Sequence, residues 1–280
     1  MKVEILGSGG AVTIPRPLCD CRVCAEARAR GVPYARTGPS TFVHGPDVLI
    51  DTPEESKLQL DRSTVTRIAA AFYSHWHPDH TMGRRVFETV NSDFRAWPRR
   101  VGATTPVYLP QQVAADFKER RGIWDHLEFM SGRGWIDVVE VEDGQSVELD
   151  GVSVRPFRVA EDYVYAFVFD DGARRLLVAP DELNGWEPPD WVRGVDLAVI
   201  PKGIDEHDPF TGERRIHADH PALRLEATFP ETLEMVQRLA AGRVVMTHIE
   251  ELDGRSHDEL VELGRRHGVE FAYDGLVVEV

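Results

Sequence analysis

A short apolar run, Arg67-Ile68-Ala69-Ala70-Ala71-Phe72-Tyr73, ends on Ser74-His75-Trp76-His77-Pro78-Asp79-His80. Three imidazoles and a carboxylate thus follow directly on a segment that reads as a buried strand. His75 and His77 are two residues apart, so they leave an extended chain on the same side and can reach one cation. Pro78 has a preset φ and no N–H to lose, which suits a helix entry, and the pattern predicts one helix over residues 79–88 carrying Asp79 and His80. The turn between strand and helix would then aim two ligands at one ion and two at its neighbour. Imidazole with carboxylate favours zinc, manganese or iron over calcium or magnesium.

The 280 residues suffice for one large α/β domain, and no repeat divides them. Met1-Lys2-Val3-Glu4-Ile5-Leu6-Gly7 lacks a signal-peptide core and no apolar stretch has membrane-spanning length, so a cytoplasmic protein without membrane partners is expected. The formal net charge of −15 repels polyanions and disfavours extended nucleic acid. Bound divalent cations reverse that field locally, which keeps a small anionic substrate compatible with an acidic chain.

All three cysteines fall in Cys19-Asp20-Cys21-Arg22-Val23-Cys24. An odd number in one cluster, with no export signal, argues against a disulfide framework and for three thiolates on one soft cation. A closed structural zinc site would need a fourth ligand from elsewhere in the chain.

The remaining pattern alternates strands with helices. Residues 40–44 and 47–51 form a hairpin in outline, 111–121 an amphipathic helix, and 136–141, 147–149 and 152–154 an antiparallel group turning at Asp143-Gly144 and Asp150-Gly151. Residues 163–169 and 175–179 form another hairpin, followed by Asp181 after an apolar strand. The stretch 202–226 is long and rich in charge, which suits a functional lid. Helices are expected over 230–240, with Pro at its start, and from His257 onward, with Ser256 and Glu259 as a capping box.

Ser74-His75-Trp76-His77-Pro78-Asp79-His80 resembles the signature of the metallo-β-lactamase fold superfamily. The segments Val48-Leu49-Ile50-Asp51-Thr52, Val178-Ala179-Pro180-Asp181 and Val244-Val245-Met246-Thr247-His248 are similar to others of that family. The resemblance spans nearly the whole chain and implies an α/β fold, a four-layer αβ/βα sandwich with its ligands at one sheet edge. It implies a single hydrolase domain over 1–280, with a zinc loop near 15–30 and the lid near 202–226. His75, His77, Asp79, His80, Asp181 and His248 would hold one or two Zn²⁺ or Mn²⁺ ions, Asp181 bridging and Asp51 supporting the loop by hydrogen bonds. The family's third histidine for the first metal falls at Ala160, where this chain has none; Glu161, the first candidate, or Asp162 would donate an oxygen in its place, or a histidine of the later loop would reach in.

The C-x-C-x2-C cluster is similar to two branches, the PhnP-type phosphodiesterases and the PqqB-type proteins. The PhnP type completes a structural zinc with a histidine three residues after the last active-site histidine, and this chain departs from that pattern. Here that position is Glu251, which with Cys19, Cys21 and Cys24 would hold one Zn²⁺, His257 being the second candidate. The same branch implies His207 as the proton donor to the leaving oxygen; Lys202, Arg214 and Arg215 of the charged stretch are the candidates to pair with a phosphate, and Asp79 and His207 are the candidate catalytic residues. The activity implied is hydrolysis of a small phosphodiester, cyclic ones included, by an activated hydroxide, in a monomer or homodimer. A PqqB-like oxidative or accessory role, or metal binding without catalysis, stands as the alternative.

Overall fold

The computed structural model describes residues 1–93, 95, 97, 100–159 and 163–280. Among them, two seven-stranded sheets form the frame. The first runs, edge to edge, Leu276–Glu279, Lys2–Gly7, Ser40–His44, Val48–Ile50, Ala70–Phe72, Thr105–Pro110 and Ile136–Val141. The second runs Glu270–Phe271, Arg243–Thr247, Leu197–Pro201, Arg175–Val178, Tyr165–Asp170, Val152–Arg158 and Val147–Leu149. A hydrophobic core lies between them, where the ring of Phe72 meets that of Phe167 at 5.4 Å between centroids. Burying a phenyl group of this kind contributes about 1.5–3 kcal/mol.

Helices cover the outer faces. Gln111–Glu119 and Arg121–Gly132 bury Phe117, Leu127 and Met130 in the core of the first sheet. Phe229–Leu239 and His257–His267 bury Met235, Leu239, Leu260 and Leu263 in that of the second. Both of the latter begin with a capping box, Thr228 with Glu231 and Ser256 with Glu259, so their first turns leave few orphan N–H groups. The helix–sheet–sheet–helix layering is the sandwich expected from the sequence. No helix among the described residues is long and apolar enough to cross a membrane.

Half of each sheet is parallel. Val48–Ile50, Ala70–Phe72 and Thr105–Pro110 run together in one, Arg175–Val178, Leu197–Pro201 and Arg243–Thr247 in the other. Parallel strands end on a common side, and side chains just past their carboxyl ends gather there. Asp51, Ser74-His75, Asp181, Lys202 and His248 all occupy such positions.

Two local expectations are corrected. Residues 136–141 do not join 147–149; they pair in parallel with Thr105–Pro110, while Val147–Leu149 and Val152–Val154 pair in the other sheet. Alternation of period two fixes which face a strand buries and is silent on its partner. The single helix expected over 79–88 is broken into Pro78–Thr81, a 3₁₀ turn Met82–Arg85, and Val86–Val90. Gly83 donates its N–H to the Thr52 carbonyl at 2.8 Å, and a Cβ on it would lie 1.9 Å from the Pro53 carbonyl oxygen. That backbone-to-backbone approach pins the motif helix to the loop bearing Asp51.

Candidate metal centre

Ser74 begins the loop after the strand Ala70–Phe72, and Asp51 fixes it. Ser74 donates its N–H to Asp51 Oδ1 at 2.8 Å and its hydroxyl to Oδ2 at 2.6 Å. The same Oδ2 lies 2.7 Å from His80 Nδ1, and Ser74 Oγ lies 3.0 Å from His75 Nδ1. The hydroxyl proton is committed to Asp51, so Ser74 Oγ accepts from His75 and Asp51 accepts from His80. Both imidazoles then carry their proton on Nδ1, and their Nε2 atoms turn to the centre.

Those atoms find no hydrogen-bond partner among the described residues. The Nε2 atoms of His75, His80 and His248 are buried and make no hydrogen bond among the described residues. A buried nitrogen left unpaired costs free energy unless something binds it. Asp181 stands between them: its Oδ2 is 3.5 Å from His75 Nε2 and 3.6 Å from His80 Nε2, and its Oδ1 is 3.3 Å from His248 Nε2. Asp79 Oδ2 lies 3.3 Å from His80 Nε2 and 3.8 Å from His248 Nε2. Donor atoms of His75, His77, Asp181 and Glu182 all lie within 4.8 Å of one another, as do those of Asp79, His80 and His248. The six residues expected from the sequence thus converge on one place, as two clusters with Asp181 facing both.

The charges are strongly coupled. Burial, with His80 nearby, holds the pKa of His75 well below its ordinary value. Burial opposes charge on His80 and His248 too, but Asp79 and Asp51 hold the first well above the usual range, and Asp181 with Asp79 pushes the second up to about 10. Burial works against the Asp181 and Asp79 carboxylates, yet the surrounding imidazoles keep both below the usual carboxylate range. Two anions among crowded nitrogen donors is the charge pattern a divalent cation satisfies.

Glu182 is the residue the sequence reading missed. It is buried, its Oε1 is 3.7 Å from His77 Nδ1, and Tyr163 donates its hydroxyl to Oε2 at 2.8 Å. Its φ of 41° is left-handed, as are those of Asp51 (60°) and His248 (53°). Such conformations cost roughly 1–3 kcal/mol each in non-glycine residues and cluster at functional sites. The available signal was a second acid immediately after Asp181 at a strand end. Glu161, Asp162 and the Ala160 slot lie outside the described residues.

The second cluster is separate. Glu251 Oε1 lies 3.3 Å from Cys19 Sγ, 3.0 Å from Cys21 Sγ and 3.5 Å from Cys24 Sγ, and the four donor atoms lie within 4.8 Å of one another. His257 is elsewhere, its Nδ1 3.3 Å from the Arg36 guanidinium. Burial pushes the Cys24 thiol up to about 12, so a cation is needed to hold it as thiolate near neutrality. Cys24→Ser is expected to lower the bound metal by one equivalent while leaving the histidine centre loaded; elemental analysis of wild type and variant checks this.

The residues expected on the substrate divide. His207 is exposed on a bridge to Arg214, its Nδ1 3.8 Å from Glu206, and Arg214 is spent on Glu206 at 2.6 Å. Neither is among the residues that line the cavity beside the centre. Arg215 does line that cavity, with Val12, Ile204, Ile216, His217, His220, Glu226, Glu250 and Leu252. Glu250 joins it to the metal residues, its Oε1 3.8 Å from His248 Nδ1.

The fold and these clusters define a class: a two-sheet α/β protein with His/Asp groups able to hold metal at the strand ends. Residues 44–249 match the family model described as the beta-lactamase superfamily domain, and the chain belongs to that family, whose members bind metals. A diphosphatase of the PhnP family superposes with a TM-score of 0.70 at 25% identity, covering 100% of this chain and 97% of that one. Zinc-bound PqqB from Methylobacterium extorquens superposes at 0.72 and 17% identity over 100% of both chains. The human tRNase Z short form does so at 0.65 and 18%, over 100% of this chain and 99% of that one. A curated relative, the octanoyltransferase of Porphyromonas gingivalis, is 22% identical over 279 residues. The match takes in 99% of this chain and 51% of that protein, so the chain spans about half the length of this relative.

Proposed function

We propose that the protein is a metal-dependent hydrolase of small phosphodiesters. The observation that carries this reading is Asp181, whose two oxygens face His75 and His80 on one side and His248 on the other. His75, His77, Asp181 and Glu182 would hold one cation, and Asp79, His80 and His248 with Asp181 a second. A divalent cation bound there supplies Lewis acidity toward a phosphoryl oxygen and lowers the pKa of water. The chain's own residues do the rest. Asp51 and Ser74 fix the tautomers of His75 and His80, and Tyr163 holds Glu182 by a hydrogen bond. The similarity to a PhnP-family diphosphatase supports phosphate chemistry.

Purified protein supplied with Mn²⁺ or Zn²⁺ is expected to cleave bis-p-nitrophenyl phosphate, and His77→Ala to abolish that cleavage. Turnover of β-lactams or thioesters and never of diesters would reject the substrate assignment. Metal found only at the cysteine cluster would favour a protein without catalysis.

Glu182 favours a second reading. With Asp181 it makes the His75–His77 cluster half oxygen, a harder donor set than histidines alone and one that suits manganese or iron. That agrees with a PqqB-like oxidative role. Iron as the metal retained from aerobic expression, with no diester cleavage, would favour it.

A further inference from the structure

The cavity beside the centre has a volume of about 540 Å³, within the range that encloses most of a drug-sized ligand. Val12, Ile204, Ile216 and Leu252 give it apolar walls, so it suits an organic group better than a bare phosphate.

Its charged side chains are mostly engaged already. Arg215 lies 3.6 Å from Asp208 and donates to the Leu252 carbonyl at 3.2 Å. Glu250 accepts the Val12 N–H at 2.8 Å. His217 Nδ1 accepts from the Asp219 N–H and His220 Nδ1 from the Ala222 N–H, each at 3.2 Å. Glu226 differs, since its carboxylate has no hydrogen-bond or ion-pair partner among the described residues. Burial, with Asp181 and Glu250 nearby, pushes its pKa up to about 7. The carboxylate without a protein partner in this apolar space is therefore Glu226, while the Arg215 guanidinium already faces Asp208 and the Leu252 carbonyl.

We infer that this cavity takes the organic substituent of an ester whose phosphate sits at the metal centre, and that Glu226 selects substituents bearing an amine. The inference rests on the hydrolase reading only in placing the phosphate. A carboxylate among apolar walls rewards a donor that is charged, because the resulting hydrogen bond is charge-assisted and the apolar surroundings lower the local dielectric. It penalises a second anion for the same reason. A neutral alkyl group of equal size fills the walls and leaves Glu226 without a partner. Glu226 is thus a specificity-determining residue, and the substrate class is a zwitterionic, aminoalkyl-type phosphodiester.

Two probes of nearly equal size separate this from simple packing: methyl 2-aminoethyl phosphate and methyl propyl phosphate, titrated calorimetrically into metal-loaded protein. The aminoethyl diester is expected to bind about ten-fold more tightly, the gain typical of one charge-assisted hydrogen bond. Glu226→Gln should remove most of that preference, with circular dichroism reporting the fold. Equal binding of the two probes by wild type overturns the inference, even should the variant fail to fold, and so does an unchanged preference in folded Glu226→Gln. A clear preference without cleavage of any diester rejects the phosphodiesterase reading and supports this one.

Discussion

Asp181→Ala is expected to strip metal from the histidine centre and to eliminate hydrolysis, with the cysteine-cluster metal retained. Asp181 belongs to the first cluster and faces the second, 3.5 Å from His75 Nε2 and 3.3 Å from His248 Nε2. Its removal leaves imidazoles crowded together, with the ring centroids of His75 and His80 only 4.2 Å apart and no anion between His75 and His248. Loss of a residue that merely orients a ligand typically costs 10–100-fold in metal affinity, so loss of a ligand itself should exceed about 100-fold. Metal stabilisation of developing charge is worth several kcal/mol, so kcat/KM should fall on the order of 10³-fold. Elemental analysis and diester kinetics on one preparation check both effects. Wild-type metal content with wild-type turnover would remove Asp181 from the centre.

Lys202→Met is expected to cause the largest loss of stability. Lys202 is fully buried, with its Nζ 2.6 Å from Asp205 Oδ1 and 2.9 Å from Asp253 Oδ2, both carboxylates being buried as well. Arg255 reaches Asp205 only at 3.4 Å and gives most of its charge to Asp208 at 2.5 Å. Methionine fills much of the volume and supplies neither charge nor donor, so two anions are left in an apolar interior. Breaking a buried ion pair by removing one partner costs about 3–5 kcal/mol. For a chain of this size that corresponds to a fall in Tm of roughly 5–9 °C. Thermal unfolding by circular dichroism measures it, and an unchanged Tm would show that the pair carries no net stability. Asp253 closes the 3₁₀ turn that begins at Glu251, so the same substitution reaches both the cysteine cluster and the base of the segment 202–226. A weaker hold on the metal by Cys19, Cys21 and Cys24 is expected to accompany the lower Tm.

Local pattern carried part of the centre and contact distance the rest. His75 and His77 were legible because their spacing alone places two rings on one side of an extended segment, whereas Asp181 and His248 each follow an apolar run and were singled out by the family resemblance. Glu251 came from the resemblance to the PhnP-type branch, as the position three residues after His248. Glu182 was hidden by its neighbour, since a second acid after a strand usually faces solvent, and only the left-handed backbone at that residue turns it back toward His77. His207 and Arg214 were misplaced because a charged loop pairs with itself in ways composition does not reveal.

By itself the sequence determined the periodicity of each strand and helix, the strand ends that carry donors, and the thiol cluster, because these depend on side-chain direction over a few residues. Tertiary structure alone decided which sheet residues 136–141 join, where the motif helix breaks against Pro53, and which charges of 202–226 face the cavity. Those outcomes depend on atoms far apart in the chain competing for the same space and the same partners. Propensity and spacing bear on neither contest.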